Sequence, residues 1–313
     1  MSRKVLITGA SGFIGRRLVG ALAKEGWDVR AAGRDMNSIP SAQRIERAAL
    51  PDLAKPVDWS PLLEGVTHAV HLAGLAHAPG MLPDEVYERI NAAAVGEIAT
   101  AAQGAERLVF LSSVRAQAGL SSDHVITEAD TPQPTDIYGR SKLAAERLVE
   151  GSGTAFTILR PAVVYGPDVQ GNIASLATLA RTPIPLPFGG LDNRRSLLAL
   201  ENLISAISLA LTSSQAAGET FLVADTEPIS VADLVAAMRE GLGRSPHLMK
   251  VPAGAVKRMM ASFGKEADWE RVSGSFVVDA AKLRGIGWQP SVATRDGIRR
   301  MMCASGGNGT TMP

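Results

Sequence analysis

The sequence predicts an α/β protein: a doubly wound parallel sheet with a smaller C-terminal α/β lobe. Three observations predict it. Short β-branched or aliphatic runs alternate with longer helical patterns through the first half of the chain. The first such run leads directly into a glycine-rich turn and an amphipathic helix. Beyond Arg160-Pro161 the alternation gives way to dense proline and paired glycine.

Strands are expected at 4–8, 29–32, 69–72, 108–111 and 157–159, where the runs are short and apolar. Helices are expected at 13–24, 84–102 and 138–149, where apolar residues recur at helical spacing. Pro183, Pro185, Pro187 and the pair Gly189-Gly190 mark the change of pattern, so a second lobe is expected from about residue 165, giving units 1–164 and 165–313. The last ten residues, 304–313, offer little to bury and are expected to fray.

The chain of 313 residues is 46% apolar and 20% charged, the composition of an ordinary globular protein. Its net charge of +1 and lack of a basic stripe argue against a nucleic-acid partner. Cys303 is the one cysteine, so no internal disulfide can form and cysteine-rich metal sites are excluded. The five histidines include no pair at i, i+4, and the nearest neighbours, His68, His71 and His77, fall in an apolar strand and the loop after it, so no metal is expected. The N-terminus has too short an apolar run for a leader, and the stretch 197–211 is interrupted by Glu201 and Asn202. No membrane association and a cytoplasmic location are expected.

Val5-Leu6-Ile7-Thr8-Gly9-Ala10-Ser11-Gly12-Phe13-Ile14-Gly15 reads as a buried strand, a glycine turn and the start of a helix. Gly9 permits the tight turn, Gly12 lets backbone N–H groups approach a pyrophosphate, and Gly15 lets helix and strand pack closely. The helix N-terminus then offers free N–H groups and its positive dipole end to an anion. This is the signature of a Rossmann-type dinucleotide site, with Gly9, Ser11, Gly12, Phe13, Ile14 and Gly15 as its contacts.

Tyr138 and Lys142 are four apart on an expected helix, so both side chains emerge on one face. A phenol is a poor base at neutral pH, its reference pKa being about 10. Lowering it by about three units takes roughly 4 kcal/mol, which one ammonium about 4 Å away can supply. The expectation is a phenol made acidic by Lys142. Ser112 and Ser113 end the 108–111 strand, at the carboxyl edge where open α/β sheets bind ligands.

The glycine turn, spaced GxxGxxG, resembles that of the extended short-chain dehydrogenase/reductases, within the NAD-dependent epimerase/dehydratase group. Val70-His71-Leu72-Ala73-Gly74, Asn91-Ala-Ala-Ala-Val-Gly96, Phe110-Leu-Ser-Ser113, Tyr138-Gly-Arg-Ser-Lys142 and Leu159-Arg-Pro-Ala-Val-Val-Tyr-Gly-Pro167 follow in the family order. Arg194-Arg195-Ser196-Leu197 and Gly287-Trp288-Gln289-Pro290 extend the resemblance into the second lobe. It is strongest toward nucleotide-sugar epimerases of the UDP-galactose 4-epimerase type and their allied reductases.

The resemblance implies that Ser113, Tyr138 and Lys142 are catalytic. Tyr138 would exchange the proton of a sugar hydroxyl and Lys142 would also hold the nicotinamide ribose. It further implies cofactor contacts from Leu72, Ala73, Gly74, Asn91 and Ser112, and adenine contacts from Asp52 and Leu53. Substrate contacts would come from Ser113, Asn172, Arg195 and Arg271 to a nucleotide-diphosphate sugar. Val114 and Arg115 stand where dehydratases of the family carry an Asp-Glu pair, which argues against water elimination. Family members often form homodimers through helices matching 84–102 and 138–149, where Val86, Ile90, Leu143 and Leu148 could contribute.

The family's acidic ribose position falls on Gly33, followed by Arg34. Loss of a carboxylate and gain of a guanidinium favours NADP over NAD, whereas Asp35 could supply the acid if the turn is shifted. The leading expectation is a nucleotide-sugar C4 epimerase, with an NADPH-dependent 4-keto-sugar reductase as the alternative. A non-catalytic NADP-sensing regulator is a third reading, against which the retained Tyr/Lys pair argues.

Overall fold

A computed structural model describes residues 3–76, 82–262, 264, 269 and 273–306. Seven parallel strands form one sheet in the order β10-β7-β5-β4-β1-β2-β3. Five lie where the sequence predicts strands: β1 (Lys4–Thr8), β2 (Asp28–Gly33), β4 (His68–His71), β5 (Arg107–Leu111) and β7 (Phe156–Pro161). β3 (Ile45–Ala49) is an edge strand with no fully buried residue, which explains why no apolar run announces it. β10 (Glu219–Val223) closes the other edge, so the sheet draws a strand from beyond residue 165.

The chain winds from β1 outward through β2 and β3, then returns to β4 on the opposite side of β1. This reversal is a topological switch point, and it opens a crevice beyond the carboxyl ends of β1 and β4. Alternate residues of β1 face opposite layers. Val5 and Ile7 pack with Leu18, Leu22, Leu203 and Ile207 from helices Phe13–Lys24 and Leu200–Thr212. Leu6 packs on the other face with Ile98, Ala145 and Val149 from helices Ala94–Ala101 and Ile137–Glu150.

The helix expected over 84–102 is broken into three parts: Asp84–Tyr87, a π-helical segment Glu88–Ala93, and Ala94–Ala101. The wider π turn carries Asn91, and such segments recur at functional sites.

A second core gathers Tyr165, Ile173, Leu186, Leu234, Met238, Ile298 and Met302. It is built from helices Asn172–Ala180, Val231–Gly241 and Thr294–Gly306, and β8 (Val163–Tyr165) pairs with β9 (Leu197–Ala199) beside it. β6 (Val125–Ile126) reaches across to pair with β11 (Val277–Val278). The helix ending at Gly306 includes residues 304–306 of the segment expected to fray, and the rest of that segment lies outside the described residues.

Candidate active site

The glycine turn lies at the switch point. Gly9 takes φ +69°, and a methyl group on it would meet the Ala73 nitrogen at 2.9 Å. A methyl on Gly15 would meet the Gly9 carbonyl oxygen at 2.2 Å. Only glycine fits either place. The cradle is therefore backbone lined, and Gly12, the residue before helix Phe13–Lys24, places no side-chain cap on the helix's first N–H groups. Exposed Gly12 and these uncapped donors at the sheet's carboxyl edge fit a dinucleotide pyrophosphate.

On the far wall, Thr8 Oγ1 accepts from the backbone N–H groups of Leu72 (3.2 Å) and Ala73 (3.3 Å), fixing the loop after β4. Asn91 is fully buried; its Oδ1 accepts from the Leu75 N–H at 2.7 Å. Its amide donates to the Leu75 carbonyl at 3.0 Å and to Ser141 Oγ at 3.2 Å. Expected as a cofactor contact, Asn91 acts in the structure as a clamp between the β4 loop and the helix of Tyr138. A Cβ on Gly74 would come within 2.9 Å of its Oδ1.

Ser113 caps the short helix Val114–Gln117, its Oγ accepting from the Arg115 N–H at 3.2 Å. The same side chain neighbours the Tyr138 phenol and acts to lower it. Asp136 caps the Tyr138 helix by accepting from the Gly139 N–H at 2.7 Å, and it pairs with Arg115 at 2.6 Å. Burial acts to raise the Asp136 carboxyl, but hydrogen bonds from Arg115 and Gly139 hold it below its ordinary range. Arg115 thus locks the start of the helix that carries Tyr138.

Lys142 is buried, donates to the Leu111 carbonyl at 3.0 Å and lies 4.8 Å from the centre of the Phe110 ring. Burial lowers it to about 8, against a raising influence from Glu146. The acidic phenol expected from the sequence is corrected here. Burial pushes Tyr138 above its ordinary value, and Asp136 adds to the rise; the groups pulling it down are Ser113 and Arg115. The physical reason is that the lysine ammonium is directed onto a backbone carbonyl, while desolvation disfavours the phenolate.

The remaining predicted residues are more dispersed. Ser112 is buried and donates to Glu146 Oε1. Ser11 lies against Gly33, where an added Cβ would stand 2.9 Å from its Oγ. Phe13 and Ile14 open the first helix. Arg34 is exposed after β2, whereas the Asp35 carboxylate is occupied by the Asn37 N–H and the Ser38 hydroxyl. Asp52 accepts from the Ala54 N–H at 3.0 Å and Leu53 is buried. Asn172 is exposed at the start of its helix. Arg195 donates to the carbonyls of Gly274 (2.7 Å) and Leu120 (3.2 Å), so its guanidinium ties loops together. Arg271 and His77 lie outside the described residues.

The sequence reading missed Glu146, Arg160 and Gln117, which form a buried polar network behind Lys142. Two signals could have found it: Glu146 repeats the four-residue spacing of Tyr138 and Lys142, and Arg160 interrupts an apolar strand. No group of three His, Cys, Asp or Glu among the described residues could hold a metal ion. No described helix is long and apolar enough to cross a membrane.

A doubly wound sheet with a backbone-lined glycine cradle and a Ser, Tyr and Lys set at its switch point defines a dinucleotide-binding protein of the short-chain dehydrogenase/reductase kind. The chain belongs to the NAD dependent epimerase/dehydratase family, whose model matches residues 5–224. It is 31% identical to a UDP-glucose 4-epimerase of Vibrio cholerae, over 96% of this chain and 94% of that one. An Escherichia coli O157:H7 relative, N-acetyl-alpha-D-glucosaminyl-diphospho-ditrans,octacis-undecaprenol 4-epimerase, is 25% identical over 80% of this chain and 76% of its own. Among solved structures, MoeE5 in complex with UDP-glucuronic acid and NAD superimposes with a TM-score of 0.75 at 25% identity, over 96% of this chain and 97% of that one.

Proposed function

We propose that the protein is a nucleotide-sugar C4 epimerase that acts through a transient 4-keto sugar. The observation that carries this reading is the Ser113 side chain beside the Tyr138 phenol, with Lys142 on the same helix face and its ammonium close to Gly74 in the loop after β4. A UDP-glucose 4-epimerase relative spanning nearly the whole chain supports the substrate class.

The glycine turn and the loop 72–74 would hold the dinucleotide, and Lys142 the nicotinamide ribose. Bound in oxidised form, the cofactor supplies a reversible hydride acceptor and a positive charge. Tyr138 takes the proton of the sugar 4-hydroxyl and returns it, while Ser113 donates to the same oxygen. Burial makes the phenol reluctant to ionise; Ser113 and Arg115 act against this within the protein, and an oxidised nicotinamide, if bound, would add a further positive charge. Asn172, Arg195 and Arg271 remain candidates for the nucleotide-diphosphate sugar, and a homodimer through the face around Leu148, which is 46% exposed, belongs to the same reading.

Incubation with UDP-glucose or UDP-N-acetylglucosamine, without added reductant, should yield the C4 epimer by NMR. A strict requirement for stoichiometric NADPH would refute epimerase. It would favour the 4-keto-sugar reductase instead, a reading supported by Gly33 and exposed Arg34 at the end of β2.

A further inference from the structure

A buried ion pair lies behind the Tyr138–Lys142 face. Glu146, 1% exposed, accepts from Arg160 Nε at 2.9 Å and from Nη2 at 2.5 Å. Its Oε1 also accepts from the Ser112 hydroxyl. Arg160 reaches on to Gln117 Oε1, and Gln117 Nε2 donates to the Asp130 carbonyl at 2.6 Å. The network joins the catalytic helix, β7, the end of β5 and the loop leading from β6.

Such a pair is a poor device for stability alone, because desolvating two charges costs about what their attraction returns. What apolar residues could not supply is a fixed negative charge one helical turn from Lys142. That ammonium has only a carbonyl and a ring face as direct partners, and no carboxylate within ion-pair distance among the described residues. We propose that Glu146, held by Arg160 and Gln117, is a positioning residue that fixes a carboxylate one helical turn from Lys142 and turns Ser112 away from the site, leaving Ser113 beside Tyr138.

The titratable groups around Lys142 are Glu146 and Tyr138 on its own helix, Arg160 on β7 and His71 on β4. His71 is neutral, driven down to about 3 by burial and by the Lys142 charge. Of these groups Glu146 pulls Lys142 toward its charged form. The proposal rests on the proposed role of Lys142 at the cofactor, so its test reads Lys142 itself.

The test is titration of Lys142 Nζ by lysine-selective NMR in the purified full chain, with the resonance assigned from Lys142→Arg. Wild type should titrate near 8. Glu146→Gln should lower the midpoint by about one unit, a tenfold loss of proton affinity. Arg160→Met, which frees the carboxylate, should raise it. General damage to packing would move both the same way, so opposite shifts support the proposal. Equal shifts, or none in whichever variant folds by circular dichroism, overturn it. Failure of the enzymatic reading shows separately, as unchanged NAD(H) affinity in Lys142→Met.

Discussion

The backbone of Gly139 lies so close to the carbonyl oxygen of Arg115 that a methyl group on it would stand 2.3 Å away. That contact seats the start of the Tyr138 helix on the turn that carries Ser113, and it has no room to relax because both partners are backbone. Gly139→Ala should therefore separate the two hydroxyls. The expected outcome is a loss of at least tenfold in kcat and a destabilisation of about 1–3 kcal/mol in urea unfolding. Retained kcat would show that the helix can shift without cost.

Gly15→Ala tests the cradle in the same way, since its methyl would meet the Gly9 carbonyl at 2.2 Å. Loss of dinucleotide binding by fluorescence titration, with the fold retained, is expected. Unaltered affinity would place the dinucleotide elsewhere.

Much of this geometry was legible in the sequence, and the reasons are local. Gly9, Gly12 and Gly15 are spaced for a glycine turn, at two of whose positions, Gly9 and Gly15, no side chain fits, and Tyr138 and Lys142 lie one helical turn apart. The edge strand β3 was illegible because it buries too little to need an apolar run. The clamp at Asn91 was hidden because a π turn leaves no mark on helical spacing. The high phenol pKa of Tyr138 depends on where the Lys142 ammonium points, which a four-residue spacing does not specify.

The expected preference for NADP is tested at Arg34. Arg34→Ala should weaken NADP(H) far more than NAD(H) in parallel binding titrations. Equal loss for both would remove Arg34 from the 2′ site.

Acid stability should depend on His71. Its folded pKa of about 3 lies below the unfolded value of about 6.5, so the unfolded chain binds the extra proton. Its contribution is fully present above pH 6.5 and is lost as pH falls toward 3, at no more than about 1.4 kcal/mol per pH unit. Burial lowers His68 as well, adding to the same slope. Urea unfolding between pH 7 and 5 should be less pH dependent in His71→Phe than in wild type. An identical slope would mean that His71 binds the same number of protons folded and unfolded over this interval.

The alkaline side should depend on Lys142. As pH rises through about 8 the ammonium is lost, so turnover should fall there. Fold stability should rise over the same interval, because the unfolded lysine keeps its proton to about 10.4. Rate and stability profiles measured together should diverge above pH 8. Parallel decline would contradict a buried, charged Lys142.

The most direct measurement is turnover of UDP-glucose or UDP-N-acetylglucosamine by Tyr138→Phe, with dinucleotide affinity determined on the same preparation. The account predicts a fall of at least a hundredfold in kcat with affinity within a few-fold of wild type. Undiminished turnover by Tyr138→Phe would contradict it.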